Sequence, residues 1–92
     1  MPTFFSIFDF KIKNLNMTWK EENNQLKRHF TFDNFIDAFA FLTKVAILAE
    51  KHNHHPHIEN VYNQVTLSLN THDAGNIVTE KDYSLAADID KL

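Results

Sequence analysis

Four of the six histidines in this 92-residue chain fall in one run, His52-Asn53-His54-His55-Pro56-His57, and a fifth, His72, lies further along. Imidazole has an ordinary pKa of about 6.5, so it can give or take a proton near neutral pH. Two or three converging histidines could therefore eliminate water from a substrate without metal or cofactor. One would protonate the leaving hydroxyl while another accepts a proton from the neighbouring atom. The same run admits two other readings. His52-x-His54-x-x-His57 could hold a zinc ion, and the whole stretch could be a solvated polar loop.

Composition narrows the chemistry. The chain has one glycine, Gly75, and no cysteine. Neither a G-x-G-x-x-G dinucleotide loop, nor a G-x-x-x-x-G-K-[ST] phosphate loop, nor a G-x-S-x-G nucleophile elbow can be written with one glycine. Without cysteine there are no disulfides, thiolate nucleophiles or iron–sulfur clusters. Nine Lys+Arg against twelve Asp+Glu give a formal net charge of −3 with no basic block. Nucleic acid is a poor partner for such a surface, because phosphate contacts dominate that affinity. The longest apolar-rich stretch, Phe35 to Ala49, is broken by Asp37 and Lys44 and falls short of the roughly 20 residues a membrane span needs. The first residues lack the basic start of a secretory signal, which makes the cytoplasm the expected location.

The elements that must carry these histidines are legible from periodicity. In Leu26-Lys27-Arg28-His29-Phe30-Thr31-Phe32 apolar and polar residues largely alternate, the period of a half-buried strand. Met17 to Lys20 precedes it across a polar Glu21-Glu22-Asn23-Asn24 turn, which predicts a hairpin. From Asp33, a plausible N-cap, Phe35, Phe39, Leu42, Val45, Ala46 and Ala49 recur at helical spacing. Lys51 and His52 suit the negative pole of that helix, Asn53 can take a left-handed conformation, and Pro56 cannot continue it. His54 and His55 are thereby predicted just past a helix end. A second hairpin follows, Ile58 to Val61 and then Val65, Leu67 and Leu69, with His72 at or just beyond its end. After the turn Asp73-Ala74-Gly75-Asn76, Thr79-Glu80-Lys81-Asp82 reads as a capping box, with Val78 and Tyr83 as a hydrophobic staple. The closing helix carries Leu85, Ile89 and Leu92 as one stripe.

The order β-β-α-β-β-α predicts a single α+β domain over 1–92, an antiparallel sheet with two helices packed on one face. Residues 1–16 form a variable segment in which Phe8, Phe10 and Ile12 alternate with Asp9, Lys11 and Lys13, which suggests an extra strand. A core this small leaves oligomerisation as an expected source of further burial.

Glu50-Lys51-x-x-His54-His55-Pro56, Asn60-Val61-Tyr62-Asn63-x-Val65, Thr71-His72, Gly75, Thr79-x-x-Asp82 and Leu85-Ala86 together resemble pterin-4a-carbinolamine dehydratase. Weaker similarity upstream through Trp19, Phe30, Phe32, Phe35, Ala38 and Phe39 extends the likeness over about 17–92. The resemblance implies dehydration of 4a-hydroxytetrahydropterin to quinonoid dihydropterin, recycling the cofactor spent by aromatic amino-acid hydroxylases, with no metal or cofactor of the protein's own. It implies a homodimer or homotetramer, and the mammalian form of the family also serves as a dimerisation cofactor of a hepatocyte transcription factor. A non-catalytic scaffold of the same fold is the alternative.

By the same resemblance His54 and His72 match histidines credited with proton transfer, and His55 matches one credited with holding the pterin. Glu50, Pro56 and Asp82 are the expected substrate-binding positions. The sequence departs from the family in four places. His57 and Ile58 stand where an acidic residue and a Trp usually follow His-His-Pro. Asp82 lies one position further from His72 than in the family, which lengthens the loop Ala74 to Val78. The usual Gly-Leu-Thr of that loop reads Gly75-Asn76-Ile77-Val78-Thr79. The family's Leu-rich N-terminal helix is not visible in residues 1–16.

Overall fold

The computed structural model describes residues 19–92, so the expected N-terminal strand and the contribution of Met17 lie outside the described residues. Two hairpins and two helices follow in the predicted order: β1 (Lys20–Glu22), β2 (Gln25–Thr31), α1 (Phe35–His52), β3 (His57–Val61), β4 (Gln64–Leu69) and α2 (Glu80–Ile89). A short 3₁₀ turn, His72–Ala74, sits between β4 and α2. The sheet is antiparallel throughout and runs β1-β2-β4-β3, so the two hairpins join through the central pair β2 and β4.

The first turn is tighter than the sequence suggested. Glu21 and Glu22 belong to β1, and only Asn23 and Asn24 turn, both at positive φ (51° and 59°). A two-residue hairpin needs that left-handed pair to match the twist of its strands, and asparagine tolerates it well.

Pairing sets which side chains meet the helices. Leu26, Arg28 and Phe30 of β2 lie opposite Leu69, Leu67 and Val65 of β4 on one face. Leu26, Phe30, Val65, Leu67 and Leu69 share a core with Ala38, Phe41, Leu42 and Val45 of α1 and Leu85, Ala86 and Ile89 of α2. Each fully buried Leu or Phe there contributes roughly 1.5–3 kcal/mol relative to exposure. Phe41 binds the two layers, its ring 4.7 Å from Phe30 and 5.0 Å from Phe32. The helices thus cover one face, and the other presents Lys27, His29, Thr31, Gln64 and Thr66.

Two helix predictions need correction. The N-cap of α1 is Asn34, not Asp33: its Oδ1 accepts from the Asp37 amide at 2.8 Å. The helix starts at Phe35, so Asp33 stands one residue too early to reach the same amide. The buried stripe is Ala38, Phe41, Leu42, Val45 and Ala49, while Phe35, Phe39 and Ala46 are exposed. Both sets have helical spacing, and the apolar arc of α1 is wider than the sheet it covers.

Among the described residues Arg28 is the one buried cation. Its Nη1 donates to Asp90 Oδ1 at 2.6 Å and its guanidinium lies 4.4 Å over the Phe30 ring. Burial pushes the Arg28 pKa down, and Asp90 opposes that shift. Trp19 Nε1 donates to the same carboxylate oxygen at 2.8 Å, so Asp90 ties the end of α2 to the first hairpin.

Candidate active site

The run of histidines begins where α1 is forced to stop. Asn53 takes the left-handed conformation (φ 50°, ψ 45°). Its amide bonds Glu50 O at 3.1 Å, and the His54 amide bonds Ala49 O at 3.0 Å. This pair of backward bonds satisfies the last helical carbonyls and turns His54 towards α2. His72 is delivered by a different element, at the first position of the 3₁₀ turn just past β4. His54, His55 and His72 line one cleft of about 310 Å³ with Asn53, Asn70, Thr71, Asp73 and Lys81. That volume is at the lower end of the range for small-molecule sites.

The three rings are held differently. His54 Nε2 lies 2.5 Å from Asp82 Oδ1, with the ring mostly buried and the carboxylate fully so. A carboxylate can only accept, so Nε2 carries the hydrogen. Among the described residues nothing bonds the other ring nitrogen, Nδ1. His72 Nδ1 faces Asn76 Oδ1 at 3.1 Å, so with the amide in this orientation Nδ1 donates and Nε2 is left for a ligand. His55 Nε2 donates to Glu50 Oε2 at 2.6 Å, with both side chains well exposed, a pairing of small energetic weight.

Asp82, an expected substrate-binding position, does not line this cleft. It is fully buried and lines no described cleft, because the capping box of α2 draws it inward. The Thr79 amide donates to its Oδ2 at 2.8 Å and the Thr71 hydroxyl to the same oxygen at 2.9 Å. Glu50 reaches His55 and Pro56 is half-buried ahead of β3; neither lines the cleft. Ile58, standing where the family places Trp, is 41% exposed. Tyr83, predicted as half of a staple, is exposed and donates its hydroxyl to Glu21 at 2.7 Å, fastening α2 to β1.

Three features of the site carry no motif in the sequence. Asn76 orients His72 from within the lengthened loop, where Gly75 (φ 92°) and Asn76 (φ 61°) are both left-handed. The extra residue was the available signal. Lys81 borders the cleft and also a second one of about 340 Å³, which shares His54 and adds His52, Glu80 and Ser84. Asp88 pairs with His52 at 2.7 Å, and no spacing rule pointed to it.

The zinc reading loses its geometry here. His52, His54 and His57 each face a different carboxylate, Asp88, Asp82 and Glu59. Among the described residues no three His, Cys, Asp or Glu side chains converge as a ligand set.

The hydrogen bond from His52 holds the Asp88 carboxyl below its ordinary value, with Lys91 assisting and burial opposing. A carboxyl lowered in the folded state adds stability that is fully present above the unfolded value near pH 4 and lost as pH falls through the lowered one. Asp88→Asn should therefore unfold at lower urea than wild type near neutral pH, with the gap closing as pH falls below the ordinary carboxylate range near 4. A gap unchanged across that range would contradict the pairing.

An antiparallel sheet backed by two helices, with histidines from a helix end and a strand end lining one cleft, defines a small α+β protein. The chain belongs to the pterin 4 alpha carbinolamine dehydratase family, whose model matches residues 9–92. It is 53% identical over 74 residues to a protein of Prochlorococcus marinus (strain MIT 9312), covering 80% of this chain and 76% of that one. A Chloroflexus aurantiacus protein is 54% identical over 74 residues, covering 80% and 78%. Both are provisionally named pterin-4-alpha-carbinolamine dehydratase. Among solved structures, a transcriptional coactivator/pterin dehydratase from Brucella melitensis superposes with a TM-score of 0.75 at 37% identity over 79% of each chain. A pterin dehydratase-like RuBisCO assembly factor of the alpha-carboxysome superposes at 0.68 with 27% identity, covering 80% of this chain and 87% of the other. No helix among the described residues is long and apolar enough to cross a membrane.

Proposed function

We propose that the protein is a 4a-hydroxytetrahydropterin dehydratase acting by histidine general acid/base catalysis. In the reaction the C–O bond at carbon 4a breaks as the departing hydroxyl gains a proton. The adjacent ring nitrogen loses one, and its electrons form the new double bond. Water and a quinonoid dihydropterin result, with no net redox change. His54 and His72 serve as the proton carriers, and His55 holds the pterin beside them. The observation that carries this reading is the convergence of all three rings on one cleft, with each proton carrier hydrogen-bonded through one nitrogen and open at the other. Asp82 acts through His54 and not on the pterin.

A homodimer or homotetramer in the cytoplasm fits this reading. Ile36, Phe39 and Ile47 are more than half exposed along α1, apolar surface that a second copy can cover. The non-catalytic alternative makes a distinct prediction. Titration with a stable tetrahydropterin should shift the ring signals of His54, His55 and His72 in the ¹⁵N–¹H spectrum. Unmoved ring signals at saturating pterin would favour a scaffold.

A further inference from the structure

Thr71 stands at the junction of the two histidine supports, and its backbone is fixed on both sides. Its amide donates to Ile77 O at 2.8 Å, and its carbonyl accepts from the amides of Ala74 and Asn76 at 3.2 and 3.0 Å. The side chain is buried with the backbone. Thr71 Oγ1 lies 2.9 Å from Asp82 Oδ2 and 2.6 Å from Thr79 Oγ1.

Donor counting orients every hydroxyl in this cluster. A carboxylate accepts only, so the single Thr71 hydrogen goes to Asp82. The Thr79 hydroxyl must then donate to Thr71 Oγ1, while its own oxygen accepts from the Lys81 amide at 3.3 Å. The Thr79 amide supplies Oδ2 with a second donor at 2.8 Å. With Oδ2 saturated by two donors, Oδ1 is the oxygen left to accept from His54. The chain of donors thus runs one way, from the first turn of α2 through two threonines to the carboxylate.

We propose that Thr71 is a positioning residue of the dehydratase, its buried hydroxyl holding Asp82 so that His54 is locked as the Nε2–H tautomer with Nδ1 as the atom that exchanges protons with substrate. This rests on the acid/base reading for its effect on turnover, but the tautomer itself does not. Buried polar networks specify one arrangement when every member is satisfied, and this one is satisfied only with the hydrogen on Nε2.

The test is ¹⁵N spectroscopy of the His54 ring, which separates a nitrogen bearing hydrogen from a bare one, together with steady-state kinetics of Thr71→Val and Thr71→Ser. Wild type should show the hydrogen on Nε2 and a bare Nδ1 in the neutral ring. Thr71→Val should mix the tautomers and lower kcat roughly tenfold, the scale of one hydrogen bond lost from the transition state, with KM little changed. Thr71→Ser, which keeps the hydroxyl, should restore both. A wild-type ring bare at Nε2 would overturn the proposal, even if Thr71→Val fails to fold. So would a folded Thr71→Val with wild-type tautomer and kcat, or a loss confined to KM. Absence of turnover in wild type would strike the proposed function alone and leave the tautomer result to decide this one.

Discussion

His54→Ala is expected to lower kcat for pterin dehydration by about a hundredfold or more, and His72→Ala by a similar factor, the contribution of a well-placed general acid or base. The two rings come to the cleft from different elements, one after the C-terminus of α1 and one after β4. Both variants should fold. His72 is exposed, and its bond to Asn76 is a surface one. His54 is more embedded, and losing it leaves Asp82 Oδ1 without its partner, so a modest drop in melting temperature accompanies that substitution. His55→Ala should act chiefly on KM, since its ring is held by the exposed carboxylate of Glu50. Kinetics of the three variants beside wild type check this. Equal kcat in wild type and His54→Ala would remove the proton-transfer role.

Asp82→Asn should be nearly as damaging to kcat, by about a hundredfold or more, while leaving the fold largely intact. The substitution is almost isosteric, and the amide oxygen can still accept from the Thr71 hydroxyl and the Thr79 amide. Its NH₂ must then point at His54, where a hydrogen already sits on Nε2. Two donors face each other, and relief comes when the ring moves its hydrogen to Nδ1, closing the nitrogen proposed to exchange protons with substrate. The same exchange of Asp for Asn behind a catalytic histidine costs about ten-thousandfold in serine proteases, through the wrong tautomer. Asp82→Ala would differ, because it leaves the Thr71 hydroxyl, the Thr79 amide and His54 unpaired at a buried site. Its loss should appear in stability as well, by about 2–4 kcal/mol. Urea denaturation alongside kinetics separates the two variants. A folded Asp82→Asn with kcat near wild type would remove Asp82 from the chemistry.

Much of this arrangement is legible in the sequence, where local rules act on local residues. The capping box at Thr79 and Asp82, the left-handed Asn53 and the strand alternation in β2 and β4 each depend on neighbours a few positions apart. The sequence is ambiguous where two local solutions compete. Asp33 and Asn34 are both good caps, and one residue of helix start decides between them. Phe35 and Phe39 fit the helical period as well as Phe41 does, and only packing on Phe30 and Phe32 selects the buried face. The candidate site is legible in the sequence as a set of histidines, without the contacts that hold them. Asp82 reads equally as a cap and as a cleft residue, and its burial, which makes it a support for His54, is a tertiary fact. The links from Asn76 to His72 and from Asp88 to His52 follow from loop geometry and helix docking, which spacing does not encode.

The decisive measurement is the rate of water loss from a freshly generated 4a-hydroxytetrahydropterin, followed by absorbance with and without catalytic amounts of the purified protein, beside the His54→Ala/His72→Ala double variant. Dehydration by this cleft predicts many turnovers per chain in wild type and a rate near the uncatalysed one in the double variant. A wild-type rate no faster than buffer, or one the double variant matches, would contradict it.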